Sequence, residues 1–307
     1  MTIKAPFPYF GGKSAVAGEV WRRFGDVKNY VEPFFGSGAV LLGRPHWRPD
    51  GPRLVETVND ADGLLANFWR AMTADPESVA HHADWPVNEA DLHARHLWLV
   101  GQRDALTERL MGDPEWFDAK AAGWWVWSMG ANAIPRGLFT ERASIVAAGN
   151  RSAGVIAGFE QGWARPLLRR LSRRLRHVRV RCGDWSRCVQ SRSMMGHSDR
   201  APFGVFLDPP YAGTDAQYAT DGEPERDAWA WACANGDNPD FRICVAGYDD
   251  GREVPEGWVT VAWEAGGGYG NKADGEGRAN AKRERLWFSP HCLRPDEGQM
   301  TLFGGGL

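Results

Sequence analysis

Short apolar runs of strand length alternate with helical stretches over residues 1–72, and the rhythm returns after about residue 163. Ser14 to Phe24 has a helical period, with Ser14 placed as its N-cap. Asn29-Tyr-Val-Glu-Pro33 is an apolar strand stopped by its proline, Phe34-Phe-Gly-Ser-Gly38 a tight turn, and Ala39–Leu42 the start of a helix. Arg53–Val58 alternates as a second strand ending in Asn59-Asp60, and Gly63–Met72 reads as a helix. Later, Leu167, Leu168, Leu171 and Leu175 make an apolar stripe flanked by Arg169, Arg170, Arg173 and Arg174. Strands are predicted at Val178–Val180, Phe203–Leu207, Phe241–Ala246 and Arg285–Phe288. This is the pattern of a doubly wound, mostly parallel α/β sheet.

Residues 73–162 break the rhythm and read as a mainly helical insert. Asn88 to Met111 is one long helix, and Asp113-Pro114-Glu115 has the form of an N-cap followed by proline at the first helical position. From it a helix carrying Trp116, Trp124, Trp125 and Trp127 runs to about Gly130, and a Gly/Ala/Arg-rich loop follows. The chain thus divides into a catalytic unit of 1–72 plus 163–307, the insert 73–162, and a tail at 295–307.

Composition narrows the classes. With 36 basic against 39 acidic residues the net charge is −3, so nucleic-acid affinity must come from a local basic face. Eight arginines and no acid lie between Arg165 and Arg181, which fits either a solvated helix face or phosphate contacts. Asp75 to Glu115 is acid-rich and is expected to face away from DNA. Five cysteines without a CxxC pair point to a reducing compartment and no structural zinc. His81, His82, His93 and His96 read as an exposed helical face, so no metal is expected. No apolar run approaches the ~20 residues of a membrane span, and a cytoplasmic protein of a bacterium or phage-infected cell is expected. Sixteen tryptophans imply large aromatic surfaces; those of the insert are read as its core rather than as a stacking platform.

Two motifs carry chemistry. In the turn after the first strand, Gly36 and Gly38 permit close approach of backbone to a ligand. Asp60, at the end of the next strand, stands where a carboxylate grips the ribose hydroxyls of a nucleotide-like cofactor, although capping of the following helix is the competing role. Asp184 has a similar turn reading. Lys13 lacks the glycine spacing of a phosphate loop. At the end of another strand, Asp208-Pro209-Pro210-Tyr211 combines a carboxylate, a carbonyl freed by prolines and an aromatic floor. Such a cluster accepts the hydrogens of a planar amine while the base stacks on Tyr211.

Taken together, Pro8–Lys13, Glu32–Gly38, Asn59-Asp60, Gly183-Asp184 and Asp208–Tyr211 resemble the Dam-type (D12 class) DNA adenine-N6 methyltransferases, in the same order along the chain. The resemblance implies a class I, Rossmann-like methyltransferase fold and S-adenosyl-L-methionine as methyl donor. It implies that Tyr9, Phe10, Lys13, Phe34, Gly36, Gly38, Asp60, Asp184 and Asp208 surround the cofactor. Asp208, Pro209, Pro210 and Tyr211 would then hold an adenine flipped from duplex DNA. Asn132 and Arg136 in the insert loop, with Arg169 and Arg173, are the candidate DNA contacts. The segment Trp127–Phe139 is only loosely like the family's, so no target sequence is inherited, and the spacing after Tyr211 is closer to phage and prophage relatives, as in restriction-modification or orphan settings. Methylation of another planar amine (cytosine N4, RNA adenine or a protein glutamine) and a catalytically silent DNA-binding module are the alternatives. Gln299–Phe303 resembles the short peptide by which bacterial proteins bind the replicative sliding clamp.

Overall fold

A computed structural model describes residues 3–9, 13–45, 47–48, 51, 54–131, 162–190, 202–210, 223–263 and 283–295. They form a seven-stranded sheet of β1 (Asn29–Glu32), β2 (Val55–Asp60), β3 (Arg179–Cys182), β4 (Phe203–Leu207), β5 (Phe241–Tyr248), β6 (Val259–Ala262) and β7 (Glu284–Phe288), in the order β3-β2-β1-β4-β5-β7-β6. The first five are parallel, and β7 runs antiparallel between β5 and β6. The expected doubly wound α/β architecture is present.

The central strands are apolar at nearly every position because both faces are covered. In β4 and β5, Val205, Leu207, Ile243 and Val245 pack with Ala228 and Ala232 of a helix at Glu223–Asn235, while Phe206, Cys244 and Ala246 join the opposite core. That opposite core also holds Trp21 and Phe24 from α1 (Ala17–Phe24), Leu64, Leu65 and Phe68 from α3 (Gly63–Ala74), and Leu168 and Leu171 from α7 (Ala164–Leu175). Between these, α2 (Ala39–Leu42) is entirely buried. The stretch expected to be an insert forms α4 (Pro76–Ala83), α5 (Glu89–Gly112) and α6 (Ala119–Ala131); Val79, Leu106, Ala122 and Trp125 from them belong to the same core as the sheet residues. The helix at Glu223–Asn235 is α8. Among the described residues no helix is long and apolar enough to cross a membrane.

Several local expectations change. Lys13–Ala15 forms a 3-10 turn closed by Val16 N–H on the Lys13 carbonyl, so α1 starts later, with Val16 at the cap position and no side-chain cap; Ser14 faces solvent. The two Asp-Pro-Glu tripeptides behave differently. Asp75 accepts Ser78 N–H at 3.0 Å and starts α4, because Val79, Ala80 and Ala83 follow as a buried face. Asp113 accepts from Glu115 and Trp116 but closes only a turn. There Arg70 holds the carbonyls of Leu110, Asp113 and Trp116, each at 3.0 Å, and α6 begins only after Asp118, whose carboxylate accepts Ala121 N–H.

Two further side chains are not where the pattern placed them. Arg174 is buried and pairs with Glu56 of β2 at 2.6 Å, while Arg44 reaches the same carboxylate at 2.9 Å. This buried triad joins α7, β2 and the end of α2, with Arg174 also donating to the Leu41 carbonyl. His96 is buried in α5 rather than exposed.

Candidate active site

The sheet reverses winding between β1 and β4, and it is beyond the carboxyl ends of the strands at such a switch point that open α/β sheets bind their ligands. Register fixes the heights of the side chains at this edge. Glu32 is level with Val58 and Val31 with Val205, so Asp60 and Asp208 both lie level with position 34. They flank β1 from β2 and β4, two strand spacings or about 10 Å apart.

Asn59 fastens the strand ends. Its side-chain amide donates to the Pro33 carbonyl at 3.0 Å and the Gly183 carbonyl at 2.9 Å, and its backbone carbonyl accepts Phe35 N–H at 2.9 Å. Next to it, Asp60 accepts Gly36 N–H at 3.0 Å and Asp62 N–H at 3.1 Å. Capping of α3 falls to Asp62, which accepts Leu64 N–H at 2.9 Å, so the competing reading of Asp60 does not hold. Burial pushes the Asp60 carboxyl up to about 6, against the backbone donors that favour its charge.

Gly36 has φ +46°, and a Cβ there would stand 2.7 Å from the Tyr9 ring. Only glycine allows this turn and lets Tyr9 close over it. The Gly36 amide is occupied by Asp60 and its carbonyl by the Trp69 indole at 3.2 Å, so the turn's backbone is bonded within the protein at this position. Gly38, also left-handed, precedes α2. Phe34 lies 5.6 Å from Trp185 with the rings 30° apart, beside Asp184. Asp184 caps the 3-10 turn Trp185–Cys188 through Ser186 N–H at 2.9 Å and remains exposed.

On the β4 side, Lys13 Nζ is 3.0 Å from Asp208 Oδ1, with the lysine side chain 5 % and the aspartate 21 % exposed. The 3-10 turn that displaced the start of α1 thus points Lys13 inward. Its ammonium also lies 5.6 Å from the centroid of the Trp263 ring, just after β6. Beneath this corner Glu32 is buried and accepts the Tyr30 hydroxyl at 2.8 Å; burial, reinforced by Asp208, holds its carboxyl well above the usual range. Among the described residues no group of three or more His, Cys, Asp or Glu is arranged to hold a metal ion.

The structure therefore brings together Tyr9, Lys13, Phe34, Gly36, Gly38, Asp60, Asp184, Asp208, Pro209 and Pro210 along one edge of the sheet. Phe10, Tyr211, Asn132, Arg136 and Gln299–Phe303 lie outside the described residues. Arg169 and Arg173 are exposed on α7, where Arg169 pairs with Glu77 of α4. Sequence reading missed Asn59 as the fastening side chain, Trp185 as the partner of Phe34, and Trp263.

Residues 9–94 match the D12 class N6 adenine-specific DNA methyltransferases. The match bears out the resemblance carried by the motifs, and the sheet order agrees with the class I methyltransferase fold of that family. It takes in Tyr9, Lys13, the Phe34–Gly38 turn and Asp60, and it ends within α5, before Asp184 and Asp208. What it supports of the chemistry is DNA adenine methylation in general. No curated protein matches the chain.

Proposed function

We propose that the protein transfers a methyl group from S-adenosyl-L-methionine to N6 of an adenine flipped out of duplex DNA. The observation that carries this reading is the pairing of two carboxylates at one height on the switch-point edge, Asp60 beside the glycine turn and Asp208 on Lys13.

The residues present fit the cofactor. Asp60 is a carboxylate whose burial makes it gain from further donors, and a ribose diol supplies two. Phe34 and Trp185 offer apolar rings beside Asp184 for a purine. When bound, the cofactor supplies an electrophilic methyl on a positively charged sulfur. Lys13 fixes one oxygen of Asp208. Asp208 and the Pro209 carbonyl accept the two amine hydrogens, favouring the pyramidal nitrogen that develops as the N–C bond forms. Asp208 is then the nearest named base for the proton the amine gives up. Tyr211 follows directly and is assigned the stacking floor, and 73–162 the recognition insert, with Asn132, Arg136, Arg169 and Arg173 as DNA contacts.

Digestion and mass spectrometry of duplex DNA after incubation with the cofactor tests the reading. N6-methyladenine is the expected product; N4-methylcytosine or no modified base overturns it. Asp208→Ala should lower turnover about 10³-fold or more while duplex affinity stays within a few-fold.

A further inference from the structure

Helix α5 touches the site corner at two successive turns. Arg103 and Thr107 stand four residues apart on one face of it. Arg103 Nη2 lies 3.8 Å from Asp62 Oδ1, with the arginine side chain 30 % and the aspartate 3 % exposed. The Thr107 hydroxyl donates to the Arg103 carbonyl at 2.8 Å, and a Cβ on Gly63 would overlap that hydroxyl. Glycine at 63 therefore lets α5 back directly onto Asp62-Gly63, where α3 begins.

Asp62 in turn is bonded to the proposed cofactor carboxylate. Its N–H donates to Asp60 Oδ1 at 3.1 Å, while its own Oδ1 accepts Leu64 N–H at 2.9 Å. Capping needs only an acceptor, and an asparagine would serve there as well. The charge of Asp62 brings a cost instead: it is desolvated, and it pushes the Asp60 carboxyl upward from two residues away. Among the described residues Arg103 is the cation that offsets this, holding the Asp62 carboxyl down against burial. Cys182, level with Asp60 in β3, is the other titratable group at this corner, and Arg70 and Arg187 act on it. A buried carboxylate stripped of its cation is strongly destabilising, because its charge is left uncompensated.

We infer that Arg103 is a positioning residue for the cofactor: through Asp62 it holds the turn that presents the Asp60 carboxylate to the ribose. This rests on the methyltransferase reading, in which Asp60 takes the ribose diol. It also gives α5, a helix of the stretch assigned to target recognition, a direct hold on the cofactor side of the site.

The test compares wild type with Arg103→Met, Arg103→Lys, Asp62→Asn and the double variant Asp62→Asn/Arg103→Met. Binding of S-adenosyl-L-methionine is titrated over a pH series, beside methylation kinetics and thermal unfolding. Arg103→Met should raise the dissociation constant and KM for the cofactor about tenfold while kcat stays within about twofold, and Arg103→Lys should recover most of the loss. With Asp62 uncompensated, Asp60 holds its proton more tightly, so the pH below which cofactor affinity falls should move up from about 6 in Arg103→Met. In Asp62→Asn it should move down, equally with and without Arg103. The double variant leaves no buried charge unpaired, so this comparison stands even if Arg103→Met unfolds. Cofactor affinity and pH dependence equal to wild type in Arg103→Met overturn the inference, as does a loss of folding stability with binding intact, or an Arg103→Met effect that persists in the Asp62→Asn background. Wild type that does not bind the cofactor would instead overturn the functional reading itself.

Discussion

The strand-end corner and the helical block of 76–131 are held together by different means. At the corner, polar side chains are fastened to backbone: Asn59 ties three strand ends, Asp60 takes two amides, and Lys13 meets Asp208. In the block, α4 and α6 meet through small residues and rings, with Gly123 against α4 and Trp125 against Phe7 and Phe68. Directional bonds fix the positions of reactive atoms, whereas packing fixes only the spacing of helices. Two glycines separate these roles.

Gly36→Ala is expected to have the largest effect of this kind. It combines a left-handed backbone with a 2.7 Å approach to Tyr9, so cofactor affinity should fall about 100-fold and stability by about 2–3 kcal/mol. Titration calorimetry and denaturant unfolding read both; an unchanged cofactor affinity would detach the turn from the pocket.

The protonation of Asp60 comes next. Its folded value of about 6 lies above the 3.8 of a free aspartate. The native state therefore takes up this proton as pH falls through 6, and the cost of the buried charge, fully present above 6, is relieved below it. Under the proposed function, a ribose diol donating two hydrogens to Asp60 favours the charged form. Cofactor affinity should accordingly drop up to about tenfold per pH unit below 6, and Asp60→Asn should abolish that dependence. A flat affinity between pH 5 and 7 in wild type would remove Asp60 from the ribose.

Gly123→Ala should act on the block alone. Alanine is the better helix former by about 1 kcal/mol, but its Cβ would meet His82 Cβ at 2.4 Å and the Val79 carbonyl at 2.8 Å. Overpacking costs about 1–3 kcal/mol, so steric conflict outweighs propensity. Stability should fall by about 1 kcal/mol with cofactor affinity unchanged; a matching loss of affinity would mean the two regions are coupled.

The smallest effect is expected at Trp263. Replacement by Leu should lower kcat about threefold to tenfold by removing the ring face beside the Lys13 ammonium, with KM for cofactor unchanged and Trp263→Phe largely restoring the rate. Equal behaviour of the Phe and Leu variants would make Trp263 mere packing.

Legibility follows the same division. The placement of Asp60 and Asp208 at strand ends could be read because it is set within a few residues, by a strand and a turn or a proline pair. Trp263 could not, since it reaches Lys13 only through the order of the sheet. Helix α4 escaped notice although its Asp75-Pro76 start matches the signature used at Asp113-Pro114. That signature nucleates a helix only when an apolar face follows, as Val79, Ala80 and Ala83 do. Strand β6 is short and alternately exposed, and α8 carries Trp229 and Trp231 two apart, so neither has a clean period. Burial of Arg174, Arg95 and His96 depends on partners 118, 32 and more residues away, or on neighbouring helices, beyond any local window.

Strand β7 enters the sheet last yet sits inside it, between β5 and β6. Until Glu284–Phe288 has left the ribosome, β5 presents a bare, mostly apolar margin from Phe241 to Tyr248 and β6 has no neighbour to join. A nascent chain halted before that point is thus a template for association with other chains, and premature stop codons ahead of Glu284 should yield insoluble rather than merely inactive product.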